Sequence, residues 1–215
     1  MSKAGENIRE LATQRRTDAY KKIGIAVITG LAPVILLPLN LPGGIMVLVW
    51  VGCLVTAVVF INKGKYLLLR AKQADQGAVA EEGVAQLLKP LEQQGWKIEY
   101  NVVLEYGDAD AFLQAPNGKC FVIDTKSNKG SLFYDGAVLK LRYGKQVYDF
   151  PNGKNVLKAV KGQARALKEM KHVSFVQPIL CFTQARMEEI DQNNYIDGVC
   201  VVDTANLLRI ITSLR

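Results

Sequence analysis

Phe121-Val122-Ile123-Asp124-Thr125-Lys126 reads as an apolar strand that ends in an acid and a base two residues apart. In an extended chain, residues i and i+2 project from the same side about 6.6 to 6.8 Å apart. Asp124 and Lys126 therefore emerge together from the end of a strand that begins with the apolar run Phe121-Val122-Ile123. Upstream, Pro116-Asn117-Gly118 is a hairpin turn joining this strand, Lys119 to Thr125, to an earlier one, Ala109 to Ala115. That partner opens with Tyr106-Gly107-Asp108-Ala109-Asp110-Ala111-Phe112. Antiparallel neighbours lie about 4.8 Å apart, so carboxylates from both strands can converge. Asp110 is the better candidate because it falls within the strand, whereas Asp108 falls in the Gly-containing approach.

Such a set suits phosphodiester hydrolysis. Carboxylates hold a hard divalent cation that polarises the phosphate and acidifies a water, and a neighbouring ammonium orients that water or stabilises the developing charge. One carboxylate is a weak cage for Mg²⁺, which prefers oxygen ligands and retains waters. Asp110 and Asp124 supply two, and Glu81 or Glu82, near the start of a preceding helix, could supply a third. An Asp-x-Lys pair by itself is more often a surface salt bridge. The apolar strand behind it and the acid-bearing hairpin partner favour a reaction centre.

Outward from this hairpin the pattern is that of an α/β domain. Gly77 to Gln94 has the periodicity of an amphipathic helix, with a stop at Gly95, and Trp96 to Glu105 is a further strand. A meander fills Ser131 to Phe150. Asn152 to Met170 is a second helix, Ser174 to Phe182 and Gly198 to Val202 are strands, and Asp203 to Leu214 closes as a helix. Together these predict a mixed sheet covered on both faces.

The N-terminal third differs in composition. No charged residue stands between Lys22 and Lys63, and Ile23 to Leu41 and Ile45 to Ile61 are each near the roughly 17 to 25 residues that cross a bilayer. Asn40-Leu41-Pro42-Gly43-Gly44 reads as a tight reversal between them, which predicts a two-helix transmembrane hairpin over residues 23–62. A basic helical segment, 1–22, precedes it; a connector helix, 63–76, leads to a soluble domain, 77–215. A cleaved signal peptide fits poorly, because the basic region is long and a second apolar run follows at once. Basic residues flank the hairpin at both ends and none lies in its turn, so the expected topology is two spans with both termini and the domain cytoplasmic. Cys53, Cys120, Cys181 and Cys200 are scattered in apolar runs, which excludes a zinc-type spacing and argues against a disulfide frame. The net charge of +7 suits anionic lipid headgroups or nucleic acid and does not choose between them.

Gly77-x-x-Ala80-Glu81, Asp110 opening a strand, Val122-Ile123-Asp124-Thr125-Lys126 and Gln163-x-x-x-Leu167 together resemble the nuclease-related domain (NERD) family of the PD-(D/E)XK nuclease superfamily, over about Gly77 to Leu214. The resemblance implies a restriction-endonuclease-like three-layer α/β domain with a central mixed sheet. It implies a nuclease that uses Mg²⁺ (or Mn²⁺) on nucleic acid, DNA in preference to RNA. Residue by residue it implies Glu81 as the helix acid, Asp110 and Asp124 as metal ligands, Lys126 as the catalytic lysine, and Gln163 as the polar helix residue facing the site. The family usually has Gly where this chain has Ala80, Glu where it has Asp124, and often His where it has Ala111. Those departures keep a second reading in view: an inactive membrane-bound module that holds nucleic acid or protein. Membrane lipids and a second copy of the chain are the other expected partners.

Three further features have competing readings. Lys154, Lys158, Lys161, Arg165 and Lys168 form a basic stripe that geometry turns away from Gln163, which favours a solvated face. Tyr134, Arg142, Tyr143, Lys145 and Tyr148 interleave aromatic and basic groups, which serves base stacking and cross-strand packing equally. His172 leaves a helix end and reads as a capping residue.

Overall fold

The computed structural model describes residues 4–39, 42–105, 107–188, 190 and 195–213. The chain divides into two compact units, Ile8–Asp75 and Met1–Asn7 with Gln76–Arg215.

The first unit is built from α1 (Glu6–Ile35) and the first part of α2 (Gly43–Gln93), which run antiparallel. Small residues recur every seven positions along their contact: Ala12, Ala19 and Ala26 are buried on α1, Ala57 and Ala71 on α2. A seven-residue repeat keeps one face of a helix against its neighbour, and small side chains let the backbones approach. Gly64 continues the α2 series, and a Cβ there would lie 2.7 Å from Cγ1 of Ile23 and 3.2 Å from the Ala19 carbonyl oxygen. Towards the charged end, Arg16 pairs with Asp75 and Arg15 donates to the Arg70 carbonyl at 3.3 Å.

The expected two-span transmembrane hairpin is not found. Among the described residues one helix, Gly43–Gln93, is long and apolar enough to cross a membrane. The first apolar run fails because α1 stops at Ile35 and gives way to a 3-10 turn, Leu37–Leu39, around Pro38. Only residues 23–35 then remain helical beyond Lys22, about 20 Å at about 1.5 Å per residue, short of a hydrocarbon core of about 30 Å. The expected two-span topology falls with the hairpin. In contrast, α2 is uncharged from Gly43 to Asn62 and then continues without a break to Gln93, through both the expected connector and the expected first helix of the soluble domain. Nothing between Gly43 and Lys89 is a proline, so charge changes along the helix while the hydrogen-bond ladder persists.

The second unit holds a six-stranded mixed sheet in the order β1-β2-β3-β7-β9-β8. Its strands are β1 (Lys97–Val102), β2 (Ala109–Gln114), β3 (Cys120–Lys126), β7 (Val176–Phe182), β8 (Tyr195–Ile196) and β9 (Val199–Asp203). β1, β2 and β3 are antiparallel neighbours, whereas β3 runs parallel to β7 and β7 to β9. A parallel step needs a crossover, and the long link from β3 to β7 supplies it. That link holds a three-stranded antiparallel sheet, β4 (Ser131–Tyr134), β5 (Leu139–Tyr143) and β6 (Gln146–Tyr148), followed by α3 (Val156–Met170).

Both faces of the six-stranded sheet are covered. On one, Phe112, Val122, Leu180 and Val201 pack with Leu157, Val160 and Leu167 of α3 and with Leu132 and Leu141 of the small sheet. On the other, Leu113, Phe121, Ile123, Ile179 and Val202 pack with Val84, Leu88 and Leu91 of α2 and with Leu207 and Ile211 of α4 (Thr204–Ser213). Because β3 and β7 are central and apolar on both sides, a charge survives on them only at a strand end, which is where Asp124 and Lys126 stand.

Candidate active site

The β2–β3 ladder pairs Phe112 with Val122 and Ala111 with Ile123, so the next step sets Asp110 opposite Asp124. There the ladder stops. Asn101 on β1 takes φ 52, between the Tyr100–Ala111 and Val102–Ala109 pairs, and interrupts the β1 edge at the same level. The Asp110 carboxylate takes over the vacated role, accepting the Thr125 N–H at 2.5 Å. Two acids are thereby held side by side at the open end of a hairpin.

Asp124 is only 5% exposed, and its Oδ2 lies 2.6 Å from Nζ of Lys126. Burial pushes the Asp110 carboxyl well above its usual range, and Asp124 and Glu81 push it further against the opposing pull of Lys126 and the Thr125 N–H. Glu81, buried on α2, is raised to about 7, first by burial and then by Asp124 and Asp108. A backbone N–H from Gly5 and the Lys126 charge work the other way. For Lys126, burial favours the neutral amine, but Asp124, Asp110 and Glu81 outweigh it and hold the ammonium above its usual range. Three carboxyl groups and one ammonium thus feel each other in a site where Glu81 and Asp124 are buried and Asp110 and Lys126 are half-buried.

Residues 76–183 match the model of the nuclease-related domain (NERD), just over half of the 215-residue chain. The chain belongs to the NERD family. Asp110, Asp124, Lys126, Glu81 and Gln163 all fall inside the matched NERD region, and β9 and α4 lie beyond it. A repair endonuclease from Pyrococcus abyssi shares 16% identity over 57% of this chain and 45% of its own, with a TM-score of 0.35. This chain therefore spans less than half of that endonuclease. No curated protein matches the chain.

The NERD site brings the sequence candidates together unequally. Asp110, Asp124, Lys126 and Glu81 form one electrostatic group, and of the two helix acids it is Glu81 that is buried against it, while Glu82 is half-buried. Gln163 is buried on α3, but its Nε2 donates to the Asp108 carbonyl at 2.9 Å. It ties down the approach to Asp110, and its Oε1 finds no hydrogen-bond partner among the described residues. Among the described residues, no three His, Cys, Asp or Glu side chains close tightly enough to hold a metal ion.

Sequence reasoning missed the Gly5 N–H at Glu81, because nothing in residues 4–7 hints at a contact some 75 positions away. The signal available was the glycine itself. Gly5 has φ +73, and a Cβ would sit 2.9 Å from the Ala78 carbonyl oxygen. The basic stripe on α3 is partly neutralised, Lys161 by Asp197 and Arg165 by Glu169. His172 follows α3 with φ 53, and its N–H returns to the Glu169 carbonyl at 3.4 Å, a helix-terminating residue.

Proposed function

We propose that this NERD protein is a divalent-metal-dependent nuclease hydrolysing nucleic-acid phosphodiester bonds, DNA in preference to RNA. The observation that carries the reading is the cross-strand pairing of half-buried Asp110 with buried Asp124, with the Lys126 ammonium 2.6 Å from Asp124. Carboxyl groups that raise one another on burial are short of positive charge. Their donors are all hard oxygens, the set that suits Mg²⁺ (or Mn²⁺), so the residues fit such an ion in donor chemistry though not in their present spacing. Asp110 and Asp124 would hold it, with Glu81 as the third oxygen donor. The ion would supply Lewis-acid polarisation of the phosphate and acidification of a bound water.

The protein's own groups do the rest. Lys126 keeps its proton beside the acids and presents an N–H donor to oxygen, so negative charge developing on a phosphate meets a fixed ammonium. The Thr125 N–H fixes the Asp110 carboxylate, and Gln163 fixes the loop that leads into it. Glu81, at about 7, exchanges a proton near neutral pH. Contact with lipid falls to α2, whose uncharged part is almost entirely exposed and includes Val47, Leu48, Leu54 and Val55.

One observation favours a second reading. The described acids do not close on a common point, and Lys126 already occupies Asp124. An inactive nucleic-acid-binding module would have that arrangement permanently. Purified full-length protein assayed on double-stranded DNA, single-stranded DNA and RNA, with Mg²⁺, with Mn²⁺ and with chelator, separates the two. Cleavage that chelator and Asp124→Ala both abolish supports the nuclease. Intact substrate in every condition, with a folded protein, overturns it.

A further inference from the structure

We propose that Tyr143 and Tyr148 form a stacking platform for unpaired bases of a nucleic-acid strand that runs out of the catalytic end of β3. The proposal deepens the nuclease reading and rests on it for the identity of the ligand, though not for any cleavage step.

The interleaved aromatic and basic residues of the small sheet are sorted by their packing. Tyr134 is half-buried and its hydroxyl donates to the Gly136 carbonyl at 2.9 Å. Arg142 lies over the Phe133 ring, 4.6 Å from its centroid. Leu132, Leu139 and Leu141 do the core packing of this sheet. Tyr143 and Tyr148 do not join that core, and the Tyr148 hydroxyl donates to Oε1 of Gln146 at the sheet's edge, which leaves both ring faces open. They remain 46% and 48% exposed, rings edge-on at 5.9 Å and 67°, on either side of the Gly144-Lys145 turn. Cross-strand packing alone does not account for two large rings left half in water when apolar neighbours fill the core beside them.

Their position points to a strand leaving the site. The Tyr143 ring rests on Gly130: a Cβ at Gly130 would fall 3.1 Å from Cε1 of Tyr143 and 2.7 Å from the Arg142 carbonyl oxygen. Gly130 has φ +95, so backbone conformation and ring both require glycine there. Residues 126–130 are themselves fixed, because the Thr183 N–H donates to the Lys126 carbonyl and the Arg186 N–H to the Gly130 carbonyl, at 2.9 and 2.8 Å. Gly130 is four residues beyond Lys126, at most about 14 Å at about 3.3 to 3.6 Å per residue.

Charge agrees with the ligand. Lys129 and Lys145 are exposed on the segments that carry the two rings, Lys129 beside Gly130 and Lys145 in the turn between them. The nearest acid in sequence, Asp149, is drawn to Lys140, 3.8 Å away, which also holds Asp135. Exposed aromatic faces between lysines bind single strands without reading sequence, because every base offers a π-face and every step a phosphate. In a paired duplex the bases are already stacked on each other, so the platform selects frayed ends and single strands.

The test measures binding of full-length protein, with chelator present so that no turnover occurs, by anisotropy of a labelled 12-nucleotide single strand, the same strand with abasic positions, and a blunt duplex. Base–aromatic stacking is worth about 1 to 3 kcal/mol per base, so Tyr143→Ala with Tyr148→Ala should raise the single-strand Kd at least about tenfold. The Tyr143→Phe, Tyr148→Phe pair should bind as the parent does. Abasic substitution should weaken the parent and leave the alanine variant unchanged, and the blunt duplex should not distinguish the proteins. If abasic and normal strands bind the parent equally, the platform is refuted, and this arm needs no variant to fold. Equal loss for all three ligands in a folded alanine variant refutes it as well. Loss of cleavage in the Mg²⁺ assay with the abasic effect retained would sink the nuclease reading and leave the platform standing.

Discussion

Two Asp–Lys pairs in this molecule have nearly the same contact distance and opposite electrostatic character. Asp124 and Lys126 meet at 2.6 Å at the end of β3; Asp135 and Lys140 meet at 2.8 Å on the small sheet. The first pair is buried among other carboxyl groups, and around it Asp110 and Glu81 are pushed up. The second lies in solvent, where the Lys140 side chain and the N–H groups of Val138 and Ala137 hold Asp135 well below the usual carboxylate range. Pairing is common to both. Burial and crowding by further acids set the first apart, and those are the conditions that make a proton or a cation worth binding.

Catalysis should separate the two pairs most. Asp124→Asn or Lys126→Ala should lower the Mg²⁺-dependent cleavage rate by about 100- to 1,000-fold or more, the scale of losing a group that meets developing charge. Asp135→Asn and Lys140→Ala should leave the rate unchanged in the same gel-based assay. Comparable losses at both pairs would show that the contrast in environment has no catalytic meaning.

Stability should separate the pairs next. Lys126→Met leaves Asp124 buried without its counter-charge and should cost about 3 to 5 kcal/mol in urea unfolding. Replacing both partners, Asp124→Leu with Lys126→Met, should recover much of that loss, because no uncompensated charge then remains. Lys140→Met should not shift the melting temperature measurably.

A smaller effect is expected from pH. Glu81 moves from an ordinary value of 4.5 to about 7 in the folded protein. The folded state therefore holds a proton that the unfolded state has released across that window. Its contribution to stability is full below about pH 4.5 and is lost as pH rises through about 7. Melting temperature should fall across this range, Glu81→Gln should flatten the fall, and Mg²⁺ should raise the melting temperature more at pH 8 than at pH 5. A profile that the glutamine variant leaves untouched would remove Glu81 from the group.

The smallest effect belongs to the surface pair. A double-mutant cycle on Asp135 and Lys140 should give a coupling indistinguishable from zero at about 1 M salt, where charges are screened within about 3 Å.

Much of the candidate site was legible because its rules are local. Alternation put Asp124 and Lys126 on one side of a strand, and Pro116-Asn117-Gly118 announced the hairpin that brings Asp110 to face Asp124. The amphipathic pattern of α3 separated Gln163 from the lysine stripe, and the structure keeps Gln163 buried. What that glutamine touches, the Asp108 carbonyl, lies 55 residues away and left no local trace. The N-terminal third misled for a related reason. Hydropathy recorded two apolar runs, but helix length is set by hydrogen-bond continuity, and that ended at Ile35 in one case and ran on to Gln93 in the other.

By itself, then, the sequence determined which residues could carry chemistry and which strands present them, since side-chain period and turn propensity act over a few residues. Tertiary structure alone decided which of those charges are buried together, that Glu81 joins them with a backbone N–H from Gly5 for company, and that the Tyr143 ring rests on Gly130. Solvation and Coulomb energies depend on distance in space, and chain separation of tens of residues carries no information about that distance.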